Sequence, residues 1–244
     1  MSAGRQPGAK SHGTTGGGFP RDGVMQSSFL LPIAFDLGAT FLMAMTGVWA
    51  ASRRGYDAVG AFSMAFVAGV GGGLMRDSVF LVQPPVIMHD SSYLAAVLAA
   101  VLAGGVTQRL ALRFEKLMAY VDALAIGVYA VVGTDKALAN HIAPIGAVLI
   151  GMCNAVGGGM LRDVLTREVP LMFKPGQLYA LAAFAGCMVF LVLQSAYRLP
   201  VQDAAWIAIA ATLLLRVLAI RFNWTTRPFS NWDEWVRLLR GMRH

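Results

Sequence analysis

Long apolar runs, separated by short breaks that carry charge or proline, set the rhythm of this chain. The runs fall at about 29–52, 58–82, 91–112, 117–134, 141–166, 177–197 and 202–220. Each is near the roughly 20 residues that a helix needs to cross a hydrocarbon core. Between them stand Arg53-Arg54, Pro84-Pro85, Arg113 with Glu115 and Lys116, Asp135-Lys136, Lys174-Pro175 and Arg198 with Pro200. The pattern predicts an all-α membrane protein of seven transmembrane helices.

The apolar pattern is written twice. Gly71-Gly72-Gly73, followed by Arg76-Asp77, returns as Gly157-Gly158-Gly159 followed by Arg162-Asp163, an offset of 157 − 71 = 86 residues. The same offset pairs Asp36 with Asp122, Gly47 with Gly133, Pro84 with Pro170 and Tyr93 with Tyr179, without a gap. Residues 29–112 therefore form a first repeat of three spans and 113–197 a second, with a seventh span at 198–220 outside both. A unit with an odd number of spans leaves on the side opposite its entry. Its copy then points the other way, so the expected architecture is a pair of inverted repeats.

Glycine in a helix interior costs about 1 kcal/mol relative to alanine, so three in succession predict that spans 2 and 5 are kinked at the triplets. Lipid cannot hydrate an opened backbone, so such a break is either packed in protein or lines water. Two readings stay open. Glycines permit close packing of helices, whereas a wet break would free carbonyl oxygens for cations and amides for anions. The second predicts a pore lined by spans 2 and 5 and narrowest at the triplets. Candidate polar lining is Thr46, Ser63, Thr134 and Asn154; each has an ordinary alternative as a residue that bonds its own backbone or joins two helices.

An arginine inside a span must be held by acceptors or stand in water. Asp36 lies near the start of span 1 and Arg76 beyond the midpoint of span 2, which runs back. The two are expected to meet in the outer half of the membrane, and by the repeat Asp122 and Arg162 in the inner half. These carboxylates serve equally as pore groups or as structural ion-pair partners.

Composition agrees with the pattern: 57% of residues are hydrophobic and only 14% charged, with a mean hydropathy of +0.59. The net charge of +7 does not indicate nucleic acid, because the cations sit between the apolar runs and toward the ends. Twelve flank one side of the predicted spans and five the other. That bias places the C-terminus in the cytoplasm and the N-terminus outside, in a cell or inner membrane. Residues 1–28 read as a disordered tail. In 221–244, Trp232, Trp235, Val236, Leu239 and Met242 recur at helical spacing among arginines, predicting an interfacial helix on membrane lipids. Cys153 and Cys187 read as packing residues. No HExxH, Walker A, GxSxG or CxxC pattern occurs, so neither enzyme activity, a metal nor a cofactor is expected.

Two GGGxxRD segments, each in the second helix of a three-helix repeat, with a seventh helix after both, resemble the prokaryotic trimeric intracellular cation (TRIC) channels. The same bacterial group is also labelled a glycine transporter-like family. The resemblance covers about residues 29–220. It implies a homotrimer with a pore in each protomer, passage of K⁺ and also Na⁺, and roles for Gly71, Gly72, Gly73, Arg76, Asp77, Gly157, Gly158, Gly159, Arg162 and Asp163. Animal members carry a basic residue in the fourth helix that is implicated in voltage response; here span 4 has none between Tyr120 and Gly133. A rival reading is a secondary transporter of a small amino acid such as glycine, its carboxylate meeting Arg76 or Arg162 and its ammonium Asp36 or Asp122.

Overall fold

A computed structural model of the protein describes residues 31–114, 116–174 and 178–224. Within them run α1 (Ile33–Arg53), α2 (Ala58–Leu74), α3 (Ser92–Arg113), α4 (Leu117–Ala139), α5 (Pro144–Leu165), α6 (Tyr179–Ser195) and α7 (Val201–Arg221). A π-helical segment, Met75–Phe80, continues α2, and a 3₁₀ turn spans Val86–Met88. Six of these helices are long and apolar enough to cross a membrane. At 17 residues, α6 lies at the short end of what can span. The expected tail at 1–28 and the amphipathic segment near Trp232 lie outside the described residues.

Local chemistry explains the boundaries. Pro32 and Pro200 stand immediately before α1 and α7, and Pro144 opens α5, where its missing N–H would have had no helical partner anyway. Asp57 caps α2 by accepting from the Gly60 amide at 2.8 Å, satisfying one of the first-turn donors. The α4 boundary differs from expectation. The pair Asp135-Lys136, read as a connecting loop, is the continuation of α4, and both residues are buried. Two charges there resemble a loop only as long as their partners are unknown.

The first and fourth helices form the middle of the bundle. α1 packs against α2, α3 and α4, and α4 packs against α1, α5, α6 and α7, while α2 and α5 cross each other. Outside them, α3 and α6 carry matching exposed stripes: Leu98, Leu102 and Val106 on one, Phe184, Met188 and Val192 on the other. Spacing of four residues puts each set on one helix face, and an apolar face turned outward suits lipid or another protomer.

Helical hydrogen bonding runs through both glycine triplets, so the expected break is not found there. The irregular turn comes instead at Met75–Phe80, and only after the first triplet. The glycines serve close approach. A methyl group at Gly72 would fall 2.4 Å from the Asn154 carbonyl oxygen, and one at Gly158 would fall 2.1 Å from that of Ala68. The flanks are covered by side chains. Leu161 lies over Gly71 at 2.5 Å and Met75 over Gly157 at 2.2 Å from such a methyl. All these contacts are reciprocal, since Ala68 and Asn154, like Met75 and Leu161, are themselves separated by the repeat offset. Backbone against backbone, with no room for a side chain, is what makes the second reading of a triplet, a wet constriction, unavailable at these positions.

Gly72→Ala and Gly158→Ala are each expected to destabilise the fold by about 1–3 kcal/mol through overpacking. Gly38→Ala, where nothing lies within 4 Å, should be neutral or slightly stabilising. Thermal unfolding of the detergent-solubilised protein distinguishes them.

Candidate functional site

Two buried charge clusters are present, one around Arg76-Asp77 and one around Arg162-Asp163. In the first, Arg76 lies at the start of the π-helical segment and grips its neighbour Asp77 with two bonds, Nε to Oδ1 at 2.8 Å and Nη2 to Oδ2 at 3.2 Å. Its outer nitrogens reach Asp36 Oδ2 of α1 at 3.4 and 3.5 Å. Tyr93 of α3 donates to the same Asp36 oxygen at 2.8 Å, and Lys136 of α4 donates to Asp77 Oδ1 at 2.9 Å. Four elements are thus tied by two cations and two carboxylates. Paired in this way, charges that would each be prohibitive alone inside a membrane become tolerable.

The second cluster repeats the plan. Arg162 of α5 bonds Asp163 through Nε at 3.0 Å and Asp122 of α4 through Nη1 at 2.8 Å. Arg216 of α7 lies over the ring of Tyr179, 4.9 Å from its centre, in a cation–π arrangement. Again two cations accompany two carboxylates. In both clusters the aspartate of the Arg-Asp pair turns its second oxygen to the chain that follows. Asp77 Oδ2 accepts from the Val86 amide at 3.3 Å and Asp163 Oδ2 from Leu171 at 3.2 Å. Each cluster therefore anchors the loop beyond its helix.

The copies differ in detail. Arg162 also donates to Thr46 of α1 at 2.8 Å, whereas the position equivalent to Thr46 in the second repeat is Val132. Tyr93 bonds its aspartate, but among the described residues the Tyr179 hydroxyl and Asp122 Oδ2 are buried without a hydrogen-bond partner. The second cluster is the looser of the two.

A cavity of about 210 Å³, walled by Asp36, Gln83, Pro84, Val86, Tyr93 and Lys136, opens onto the first cluster. It shares Asp36, Val86 and Tyr93 with a narrower space of about 10 Å³ that continues past Arg76 to Gly69 and Tyr129. That is about the least volume that lodges one water. The passage ends where the Tyr129 hydroxyl bridges the Gly69 carbonyl and the Thr40 hydroxyl. Polar groups continue along α1 from Asp36 through Thr40 to Thr46, ten residues or about 15 Å of helix. α1 thereby links one cluster to the other.

Of the polar residues expected to line a path, only Thr46 joins a cluster. Ser63 is exposed on α2 and donates to the Val59 carbonyl of its own helix. Thr134 donates to Ala130 within α4, and Asn154 joins helices by donating to the Tyr129 carbonyl at 2.7 Å. The triplets Gly71–Gly73 and Gly157–Gly159 pack the helices rather than line a cavity throughout, although Gly73 borders the narrow space. Sequence reasoning missed Lys136, assigned to a loop, and Arg216, passed over in the last span. A signal existed for both: each is a lone cation beside apolar sequence, which calls for a buried carboxylate to meet it.

Comparison with known proteins places this arrangement. A family model described as glycine transporter matches residues 33–109 and again 119–195. A membrane protein of Deinococcus radiodurans named UPF0126 is 35% identical over 83% of this chain and 88% of its own length. The UPF0126 inner membrane protein YadS of Escherichia coli is 31% identical over 77% and 91%. The solved TRIC trimeric intracellular cation channel orthologue from Rhodobacter sphaeroides superposes with a TM-score of 0.73, at 28% identity, over 78% of this chain and 97% of that one. A second TRIC cation channel structure, solved to explain conductance, gives 0.68 at 30% identity over 80% and 95%. The chain belongs to the prokaryotic TRIC family. The two matches to the glycine transporter model begin 119 − 33 = 86 residues apart, so the unit that this model describes is one three-helix repeat, present twice. Both matches end before α7. Arg216, which completes the second cluster, therefore comes from outside the repeat unit.

The asymmetry between clusters is open to measurement. Tyr93→Phe removes a bond to a buried carboxylate and is expected to lower stability by about 1–3 kcal/mol. Tyr179→Phe removes an oxygen that has no partner, and its effect should stay within about 0.5 kcal/mol or be stabilising. Paired unfolding curves read the difference.

Proposed function

We propose that this TRIC-family chain is a monovalent cation channel for K⁺ and also Na⁺, assembled as a homotrimer with a separate path in each protomer. The path follows α1, between α2, α4 and α5, and is shut in the conformation described. The observation that carries this reading is the polar file from the vestibule at Asp36, past Arg76 and Thr40, to Thr46 and Arg162. A hydrated route through a membrane protein needs polar groups at each level, and the two charge clusters with the threonines of α1 supply them. The solved relatives described as TRIC cation channels support the same reading.

The reciprocal contacts at the Gly72 and Gly158 crossing support an inverted arrangement of the two repeats, with each cluster near a different face of the membrane. The excess of cations on one side of the spans supports a cytoplasmic C-terminus in a cell membrane of the inner type, where lipids cover the stripes on α3 and α6. The function is read as non-enzymatic transport, in keeping with the solved relatives described as cation channels.

Opening requires that Tyr129 leave Gly69 and Thr40. Its ring sits beyond the first cluster, so α2 must shift from α4, and the Lys136 tie to Asp77 resists that shift. The pathway is therefore latched by charge and sealed by one aromatic residue.

Purified protein in planar bilayers under a K⁺ gradient tests the reading. Unitary currents that reverse near the K⁺ equilibrium potential are expected. Tyr129→Phe, which loses the bridging hydroxyl, should raise open probability several-fold. Silent bilayers together with saturable glycine uptake into vesicles would replace the channel with a secondary transporter.

A further inference from the structure

The two Arg-Asp turns differ by one residue. After Arg162-Asp163, α5 stays regular to Leu165, and the Thr166 amide closes it on the Arg162 carbonyl, four residues back. Arg76-Asp77 lies instead in the π turn Met75–Phe80, and the Leu81 amide reaches back five residues to the Arg76 carbonyl. The later landmarks keep the difference. Glu168 donates to the Asp163 carbonyl five residues back, Gln83 to that of Asp77 six back. Asp163 Oδ2 accepts from Leu171, eight residues on, and Asp77 Oδ2 from Val86, nine on. At the repeat offset the amide that should anchor Asp77 belongs to position 171 − 86 = 85. That residue is Pro85, which has no amide hydrogen to give. The π turn moves the chain on by one residue and presents Val86 in its place.

This solution is costly. A π turn is rare and frequently marks a functional site. Beyond it, Val82 holds a φ of 51°, which a β-branched residue rarely adopts. Gln83 Nε2 is buried without a hydrogen-bond partner among the described residues, a condition that folded chains normally avoid. Against these costs stands one hydrogen bond of 3.3 Å, from Val86 to Asp77. Tightening to an ordinary α turn gives up that bond, restores regular helix and frees Val82 from its left-handed conformation. Ser78, Val79 and Phe80 are exposed, so the outer face of the turn leaves room for the change. The second end has no such alternative, because α5 is already regular there.

The loop after the π turn walls the vestibule through Gln83, Pro84 and Val86. We propose that residues 81–88 form a lid, held by Asp77 while the turn is π and released when the turn tightens to α and passes one residue into the loop. Pro85 is the residue that keeps the held state from becoming permanent. Released, the lid uncovers Asp36 and Lys136 and widens the mouth of the path. That the lid admits cations rests on the channel reading; the switch of the turn does not.

Hydrogen exchange on the full-length protein in detergent reads the turn, and K⁺ currents in planar bilayers read the lid. Amides from Ser78 to Leu81 are expected to exchange at least about tenfold faster than those from Val164 to Arg167. Pro85→Ala supplies the missing amide, so an anchored α turn becomes available. Exchange at the turn should then slow about tenfold, and open probability should fall several-fold. Pro84→Ala, which leaves Pro85 in place, should change neither. Val82→Gly, at ease in the left-handed conformation, should favour the held lid and lower both. Equal exchange at the two turns of the parent protein, or an effect of Pro84→Ala as large as that of Pro85→Ala, overturns the proposal. So does Pro85→Ala that slows exchange and leaves the current as it was, since the turn would then not govern the path. Silent bilayers together with the expected exchange pattern would keep the lid and remove the channel reading.

Discussion

A guanidinium keeps its charge even inside a membrane, so acceptors or water must meet it there. In this protein Arg76 and Arg162 each meet two carboxylates: the aspartate that follows, and one from the first helix of the same repeat. The first of these contacts is local and forms as soon as the helix turn exists. The second joins helices that are 40 residues apart in sequence. Folding a three-helix unit therefore requires that α1 find α2, or α4 find α5, in a register that puts Asp36 on Arg76 or Asp122 on Arg162. A slip by one helical turn, about 5.4 Å, would leave a charge exposed to lipid. The ion pairs specify the packing more than they strengthen it, because buried pairs recover in attraction little more than they lose in desolvation.

What unites the two units is of a different kind. The helices α2 and α5 touch through backbone at Gly72 and Gly158, a contact that any side chain would force apart. Close approach lets dispersion and weak polar contacts hold helices together where no hydrophobic effect operates between them. It also places each charged turn within a few residues of the crossing, so that Met75 and Leu161, the residues just before the arginines, lie across the partner's triplet.

Symmetry is incomplete where function would demand it. Lys136 and Arg216 have no counterparts at the repeat offset. They bring each cluster to two positive and two negative groups, but by different routes, one from α4 and one from the helix outside the repeats. The first cluster opens to a vestibule and its tyrosine is bonded; among the described residues the second has no partner for Asp122 Oδ2 or the Tyr179 hydroxyl. Two ends that began as copies have become unequal, as suits a protein whose two faces meet different solutions.

The sequence alone determined the number and approximate limits of the helices, the duplication, and the residues that form the clusters' centres. Each of these follows from a property readable locally: a run of apolar residues long enough to span, a repeated motif, a charge that lipid will not accept. It also held the offset by which Asp36 and Arg76 find each other, because the depth of a residue in a span is arithmetic. The tertiary structure decided what the glycines are for. A missing side chain is equally consistent with a broken helix and with a close neighbour, and only the position of Asn154 and Ala68 against those triplets resolves the choice in favour of the neighbour. The structure likewise decided that Asp135 and Lys136 belong inside the bundle, since whether a charge lies in a loop or in a helix depends on a partner located elsewhere in the chain.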